Sequence, residues 1–124
     1  MNFIETIHAN FARGDAPALT EMLATQARPL SWRALGSLVA QARAELREKG
    51  VKPGDRVALI AANGQRWVAA DLAILMEGAI AVPLYNRQSA HELVAMLKDC
   101  EPSLVVGEAG LEAELRALWS EIPW

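Results

Sequence analysis

The sequence predicts an α/β fold: a partial parallel sheet of βαβ units flanked by helices, preceded by an N-terminal helix and a small β-hairpin. Three observations predict it. The run Arg56-Val57-Ala58-Leu59-Ile60-Ala61-Ala62 is apolar after its first residue and has no polar alternation, the pattern of a strand covered on both faces. Residues 65–77 are apolar nearly all round, through Trp67, Val68, Leu72, Ile74, Leu75 and Met76, which marks a buried helix. Ala79-Ile80-Ala81-Val82 then begins a second buried strand. Strand, helix and strand within about thirty residues make a βαβ unit, parallel and right-handed in nearly all cases.

The other elements follow in order. Asn2 to Arg13 reads as a short amphipathic helix, with Phe3, Ile4, Ile7 and Phe11 at helical spacing and Gly14 ending it. A hairpin is expected next, Ala18–Met22 and Arg28–Leu30 joined through Thr25-Gln26. Ser31 suits the N-cap of the clearest helix in the chain. Leu35, Leu38, Val39, Ala42 and Leu46 form its apolar stripe, and Arg33, Gln41, Arg43, Glu45 and Lys49 its polar side. Gly50 closes it and Pro53 prevents its continuation. Pro53-Gly54 has the residues of a type II turn. Asn63-Gly64 breaks the first strand, and Gly78 stands where a helix C-cap glycine belongs.

Pro83 ends the second strand or sits where no ladder donor is needed. Tyr85-Asn86-Arg87-Gln88 is a loop. Ser89 and Glu92 have capping-box spacing and open a helix through Asp99, with Leu93, Met96, Leu97 and Cys100 on one side. Glu101-Pro102 stops it. Ser103–Val106 is a third strand, and Leu111 to Trp119 a last helix with Leu111, Leu115 and Leu118 inward. No repeat or linker divides the chain, so residues 1–124 read as one unit. Three parallel strands are few beside the usual 4–6 or so. The chain ends on Trp119-Ser120-Glu121-Ile122-Pro123-Trp124, where a fourth strand is expected, so a part of a larger fold is anticipated.

Composition excludes several classes. Hydrophobic residues at 52% and charged residues at 22% rule out a disordered chain. A net charge of −3 gives no electrostatic case for nucleic acid or an anionic membrane. No apolar run approaches the roughly 20 residues of a transmembrane segment, and the N-terminus lacks a signal-peptide core. The single cysteine, Cys100, excludes an internal disulfide and fits a reducing cytoplasm.

Chemistry is harder to find. Neither GxxxxGK[ST] nor GxGxxG occurs, and Gly107-Glu108-Ala109-Gly110 reads as a loop turn rather than a phosphate cradle. His8 and His91 lie far apart on separate helices and read as surface residues, without the convergent partners of a metal site or triad. Cys100 reads as a packed thiol rather than a nucleophile. Asp71 interrupts a buried helix and is either functional or relieved by a local hydrogen bond or a helix-edge position. Trp67 either lines an apolar pocket or packs in the core. Arg87 stands in the loop leaving the carboxyl end of a parallel strand, where open α/β sheets bind ligands; the alternative is a solvated loop arginine. From these residues alone no function is readable.

One ordered set of short patterns adds to this. Leu30-Ser31-Trp32-Arg33-Ala34-Leu35, then Gly50-Val51-Lys52-Pro53-Gly54-Asp55-Arg56-Val57-Ala58-Leu59, then Asn63 to Trp67, Leu72-Ala73-Ile74-Leu75, Gly78-Ala79, Val82-Pro83-Leu84-Tyr85 and Glu92-Leu93 follow one another in the chain. In order and spacing they resemble the opening section of the adenylate-forming (AMP-binding) ligases, the superfamily of acyl-CoA synthetases, luciferases and peptide-synthetase adenylation domains. The Asp71–Leu75 run and the Ala81-Val82-Pro83-Leu84-Tyr85 ending are most similar to the long-chain fatty acyl-CoA ligase branch. That branch usually continues Pro-Thr where this chain has Asn86-Arg87.

The resemblance implies an N-terminal portion, residues 1–124, of a truncated adenylate-forming domain. The parent activity it implies is ATP-dependent activation of a fatty or other carboxylic acid to an acyl-adenylate, then acyl transfer to CoA, with ATP, Mg and CoA as its cofactors. The family's phosphate loop, adenine and magnesium motif, ribose-binding aspartate and C-terminal lysine match nothing in this sequence. The resemblance therefore implies no catalytic residue, metal ligand or bound cofactor here, and a chain inactive by itself. In some CoA ligases of the family an arginine of this post-strand loop reaches the CoA nucleotide phosphate, and Arg87 is similar in position. The implied partner is the remainder of the ligase, with a homodimer through exposed apolar surface when the chain is alone. The competing expectation is a free-standing α/β binding or oligomerisation module.

Overall fold

The computed structural model describes all 124 residues. Helix α1 (Phe3–Asn10) and a 3₁₀ turn (Phe11–Arg13) lead into strands β1 (Pro17–Met22) and β2 (Ala27–Ser31). Helix α2 (Trp32–Glu48), β3 (Arg56–Ile60), α3 (Gln65–Met76), β4 (Ile80–Pro83), α4 (Ala90–Cys100), β5 (Leu104–Gly107) and α5 (Leu111–Leu118) follow. β1 and β2 pair antiparallel, and β4-β3-β5 form a parallel sheet in that order.

β3 is central, which explains its unbroken apolar run. Val57 and Leu59 point into the cluster shared with α2 and α3, while Ala58 and Ile60 point into the cluster shared with α4 and α5. All four are essentially inaccessible. β4, anticipated as buried, is an edge strand instead, and Ile80 is 50% exposed. Its inward amides alternate from Ile80, which donates to the Asp55 carbonyl, to Leu84 just past the strand, which donates to the Leu59 carbonyl. Pro83 thus falls on the outward side, where no ladder donor is required.

Local signals set the ends of the elements. The Ser31 hydroxyl accepts from the Ala34 amide at the start of α2. Ser89 and Glu92 form a reciprocal capping box on α4, and the hydrogen bonds from Ser89 hold the Glu92 carboxyl below its ordinary range. Gly54, at φ 87°, occupies the third position of a turn closed by the Asp55 amide on the Lys52 carbonyl at 3.0 Å. Lys52–Asp55 is therefore the turn that Pro53-Gly54 predicts.

α2 and α3 are clamped by Glu77, whose side chain is 10% exposed and accepts from Arg43 Nε and, at 2.8 Å, from Arg47 Nε. Burial pushes this carboxyl up, but the hydrogen bonds and charge of Arg47 and Arg43 outweigh it and hold the group below its ordinary range. On the last helix the inward residues differ from expectation. Leu115 is buried and Trp119 packs on the core, whereas Leu118 is 39% exposed. The helix ends at Leu118, so Trp119, in extended backbone, turns inward out of the helical phase. Beyond it Pro123 accepts from the Val105 amide, so residues 122–124 lie along the outer edge of β5.

Candidate functional site

The three parallel strands deliver their loops to one end of the sheet: 61–64 after β3, 84–89 after β4 and 108–110 after β5. α3 leaves β3 toward the first core cluster, and α5 leaves β5 toward the second. Neighbouring strands that send their helices to opposite faces leave a crevice at their carboxyl ends, the usual ligand site of open α/β sheets.

β3 is shorter than its apolar run, since Ala61 and Ala62 leave the ladder and join the loop. A cavity of about 610 Å³ opens there, lined by Ala61, Ala62, Asn63, Trp67, Pro83, Leu84, Tyr85, Asn86 and Arg87. Arg87 occupies the third position of a turn closed by the Gln88 amide on the Tyr85 carbonyl at 3.2 Å. Its guanidinium forms no ion pair or intramolecular hydrogen bond, and the residue is exposed. Trp67 does both things considered for it, packing on the first core cluster and lining the cavity.

A second, open groove of about 780 Å³ runs beside β5. Leu38, Ala42 and Leu46 of α2, Ala70 and Ile74 of α3, and Leu104 and Val106 of β5 line it, with Trp124 at its rim. On this face α3 packs on β3 and β4, and β5 adds Leu104 and Val106 to the same apolar cluster.

The other candidates are not gathered here. His8 and His91 are exposed on separate helices, and no group of three His, Cys, Asp or Glu residues is placed to hold a metal ion. The Cys100 thiol is pushed up by burial, which suppresses the reactive thiolate. Asp71 is partly buried, its carboxyl raised by that burial, and it lines neither cavity nor groove. No hydrogen bond relieves it.

Sequence reasoning missed Glu108. Its Oε1 accepts from the Ala62 amide and, at 3.4 Å, from Asn86 Nδ2, so one carboxylate ties the three loops together. The loop-turn reading of 107–110 is correct, with the Leu111 amide on the Glu108 carbonyl at 3.2 Å. The available signal was the position of Glu108 immediately after a parallel strand.

This donor set suits a phosphate-bearing group. Arg87, whose guanidinium is unpaired, lines one space with Asn63, Asn86, Trp67 and Tyr85, and a guanidinium binds phosphate through paired N–H donors.

Comparison with known proteins gives a consistent picture. Residues 8–122 match the family described as AMP-binding enzyme. The long-chain-fatty-acid–CoA ligase FadD15 of Mycobacterium bovis is 37% identical over 68 residues, 55% of this chain and 11% of that protein. Tyrocidine synthase 3 of Brevibacillus parabrevis is 35% identical over 88 residues, 71% of this chain and 1% of that protein. Among solved structures, a holo four-domain nonribosomal peptide synthetase bound to AMP and glycine superposes with a TM-score of 0.85 at 29% identity, over 99% of this chain and 9% of that one. The chain thus spans about a tenth or less of the length of these relatives.

Proposed function

Because the chain belongs to the AMP-binding enzyme family, we propose that it is the N-terminal portion of an ATP-dependent acyl-CoA ligase and contributes a contact for the nucleotide phosphate of CoA. The parent reaction joins a carboxylate to ATP as an acyl-adenylate and then passes the acyl group to CoA. A fatty acid is the favoured substrate, on the likeness to the Mycobacterium bovis ligase. The groups that act on ATP and Mg belong to the remainder of the ligase, and the isolated chain is catalytically inert.

The observation that carries the CoA contact is Arg87: an exposed, unpaired guanidinium at the carboxyl end of a parallel sheet, beside Trp67 and Tyr85 in a cavity of about 610 Å³. Calorimetric titration of the chain with CoA tests it. Binding is expected in the wild type, weakened at least tenfold in Arg87→Ala, the scale of one charge-assisted hydrogen bond. CoA binding equal in both proteins would refute the assignment.

The apolar part of the groove beside β5 and the half-exposed Ile80 support the second partner reading. The remainder of the ligase covers this surface in the parent, and the chain alone covers it by forming a dimer or larger assembly. A monomeric mass by light scattering would count against that. No helix is long and apolar enough to cross a membrane, and the free Cys100 supports a reducing compartment, the cytoplasm.

A further inference from the structure

We infer that Glu108 is a positioning residue for the Arg87 site: its carboxylate locks the loops after β3 and β4 together and sets the turn that presents the guanidinium. The inference rests on the reading of Arg87 given above and adds to it a residue from the third loop. Glu108 begins the segment after β5, where its amide donates to the Ile60 carbonyl at 3.3 Å. From there Oε1 reaches across the crevice to the Ala62 amide and to Asn86 Nδ2. Asn86 is the residue before Arg87, and both it and Ala62 line the cavity. No other side chain bonds to both of these loops. Without the carboxylate the Tyr85–Gln88 turn keeps only its own backbone bond and the helix cap that follows it.

The carboxylate has a second, opposing effect. A negative charge close to a phosphate site repels the ligand, and only part of that charge is offset by the two N–H donors it accepts from. Geometry and charge therefore act with opposite signs, and two substitutions separate them. Glu108→Gln keeps an oxygen acceptor for both donors and removes the charge. Glu108→Ala removes both.

The test is calorimetric titration with CoA of the wild type, the two Glu108 variants, Arg87→Ala and the Arg87→Ala/Glu108→Ala pair, with amide hydrogen exchange on the unliganded proteins. Glu108→Ala is expected to weaken CoA binding about tenfold, while Glu108→Gln binds as tightly as wild type or up to about threefold tighter. In the Arg87→Ala background the loss of Glu108 costs nothing further. The Ala62 amide exchanges faster in Glu108→Ala and stays protected in Glu108→Gln, a readout that needs no ligand. Wild-type affinity in Glu108→Ala, or an equal loss in both Glu108 variants, would overturn the positioning role. A wild type whose CoA binding ignores Arg87 would instead remove the Arg87 reading, and the inference with it; the exchange data then report the lock alone.

Discussion

Replacing Glu77 by alanine at the α2–α3 interface tests how this chain holds its first core together. The carboxylate is 10% exposed and takes hydrogen bonds from two guanidiniums, Arg43 at 25% and Arg47 at 59% side-chain exposure. A hydrogen bond to a buried charged group contributes about 1.5–3 kcal/mol. The Arg43 contact belongs near the bottom of that range, and the Arg47 contact is discounted to about 0.5 kcal/mol because water competes for it. The expected loss is about 2 kcal/mol at neutral pH. With an unfolding entropy of about 2.1 cal/mol/K per residue over 124 residues, Tm falls by roughly 8 °C.

The same group contributes to the loss of stability in acid. The carboxyl lies below its ordinary value of 4.5 in the folded state, so its contribution is present above that pH and is lost as pH falls through the folded value. The Tm gap between wild type and Glu77→Ala, followed by circular dichroism, is therefore expected to be full at pH 7, nearly full at pH 5, and closing below about pH 4. A gap under about 2 °C at pH 7, or one that persists undiminished at pH 3, would refute the reasoning.

Two other substitutions probe backbone and packing at named positions. Glu101 holds φ 49° at the end of α4, a left-handed conformation that costs a side-chain-bearing residue about 1 kcal/mol; Glu101→Gly is expected to raise the urea midpoint, and a lower midpoint would mean the conformation is absent. A Cβ on Gly107 would stand 2.6 Å from the Trp124 ring and 3.1 Å from the Ile60 carbonyl. Gly107→Ala should cost about 1–3 kcal/mol as overpacking, and most of that loss should vanish in a Trp124→Ala background by double-mutant cycle.

Much of the fold was legible because its signals are local. The caps at Ser31 and Ser89, the Pro53-Gly54 turn and Gly78 each act through neighbours a few residues away, and each sits where its residue type predicts. The central position of β3 was legible too, since only a strand covered on both faces tolerates Val57, Ala58, Leu59 and Ile60 in succession. Strand order was not. Ile80 reads like Ile60 in sequence, and only the placement of β5 on the other side of β3 makes β4 an edge. Leu118 misled for a related reason, because helical spacing continues past the point where the chain leaves the helix and Trp119 takes the inward place.

The site was half legible. Arg87 follows from the rule that parallel sheets bind at their carboxyl ends, which needs only a strand and the loop after it. Glu108 needs the third dimension. Its partners Ala62 and Asn86 are 46 and 22 residues away, and nothing in a Gly-Glu-Ala-Gly turn tells which backbone amide its carboxylate will meet.

The division of work between this chain and the remainder of a ligase is tested most directly by titrating the purified chain in a calorimeter with ATP-Mg, with CoA and with a long-chain acyl-adenylate analogue. The predicted result is a saturable CoA response that depends on Arg87, with no heat from ATP-Mg or the adenylate analogue. Tight, saturable binding of ATP-Mg would contradict it, since a complete nucleotide site would then lie within these residues.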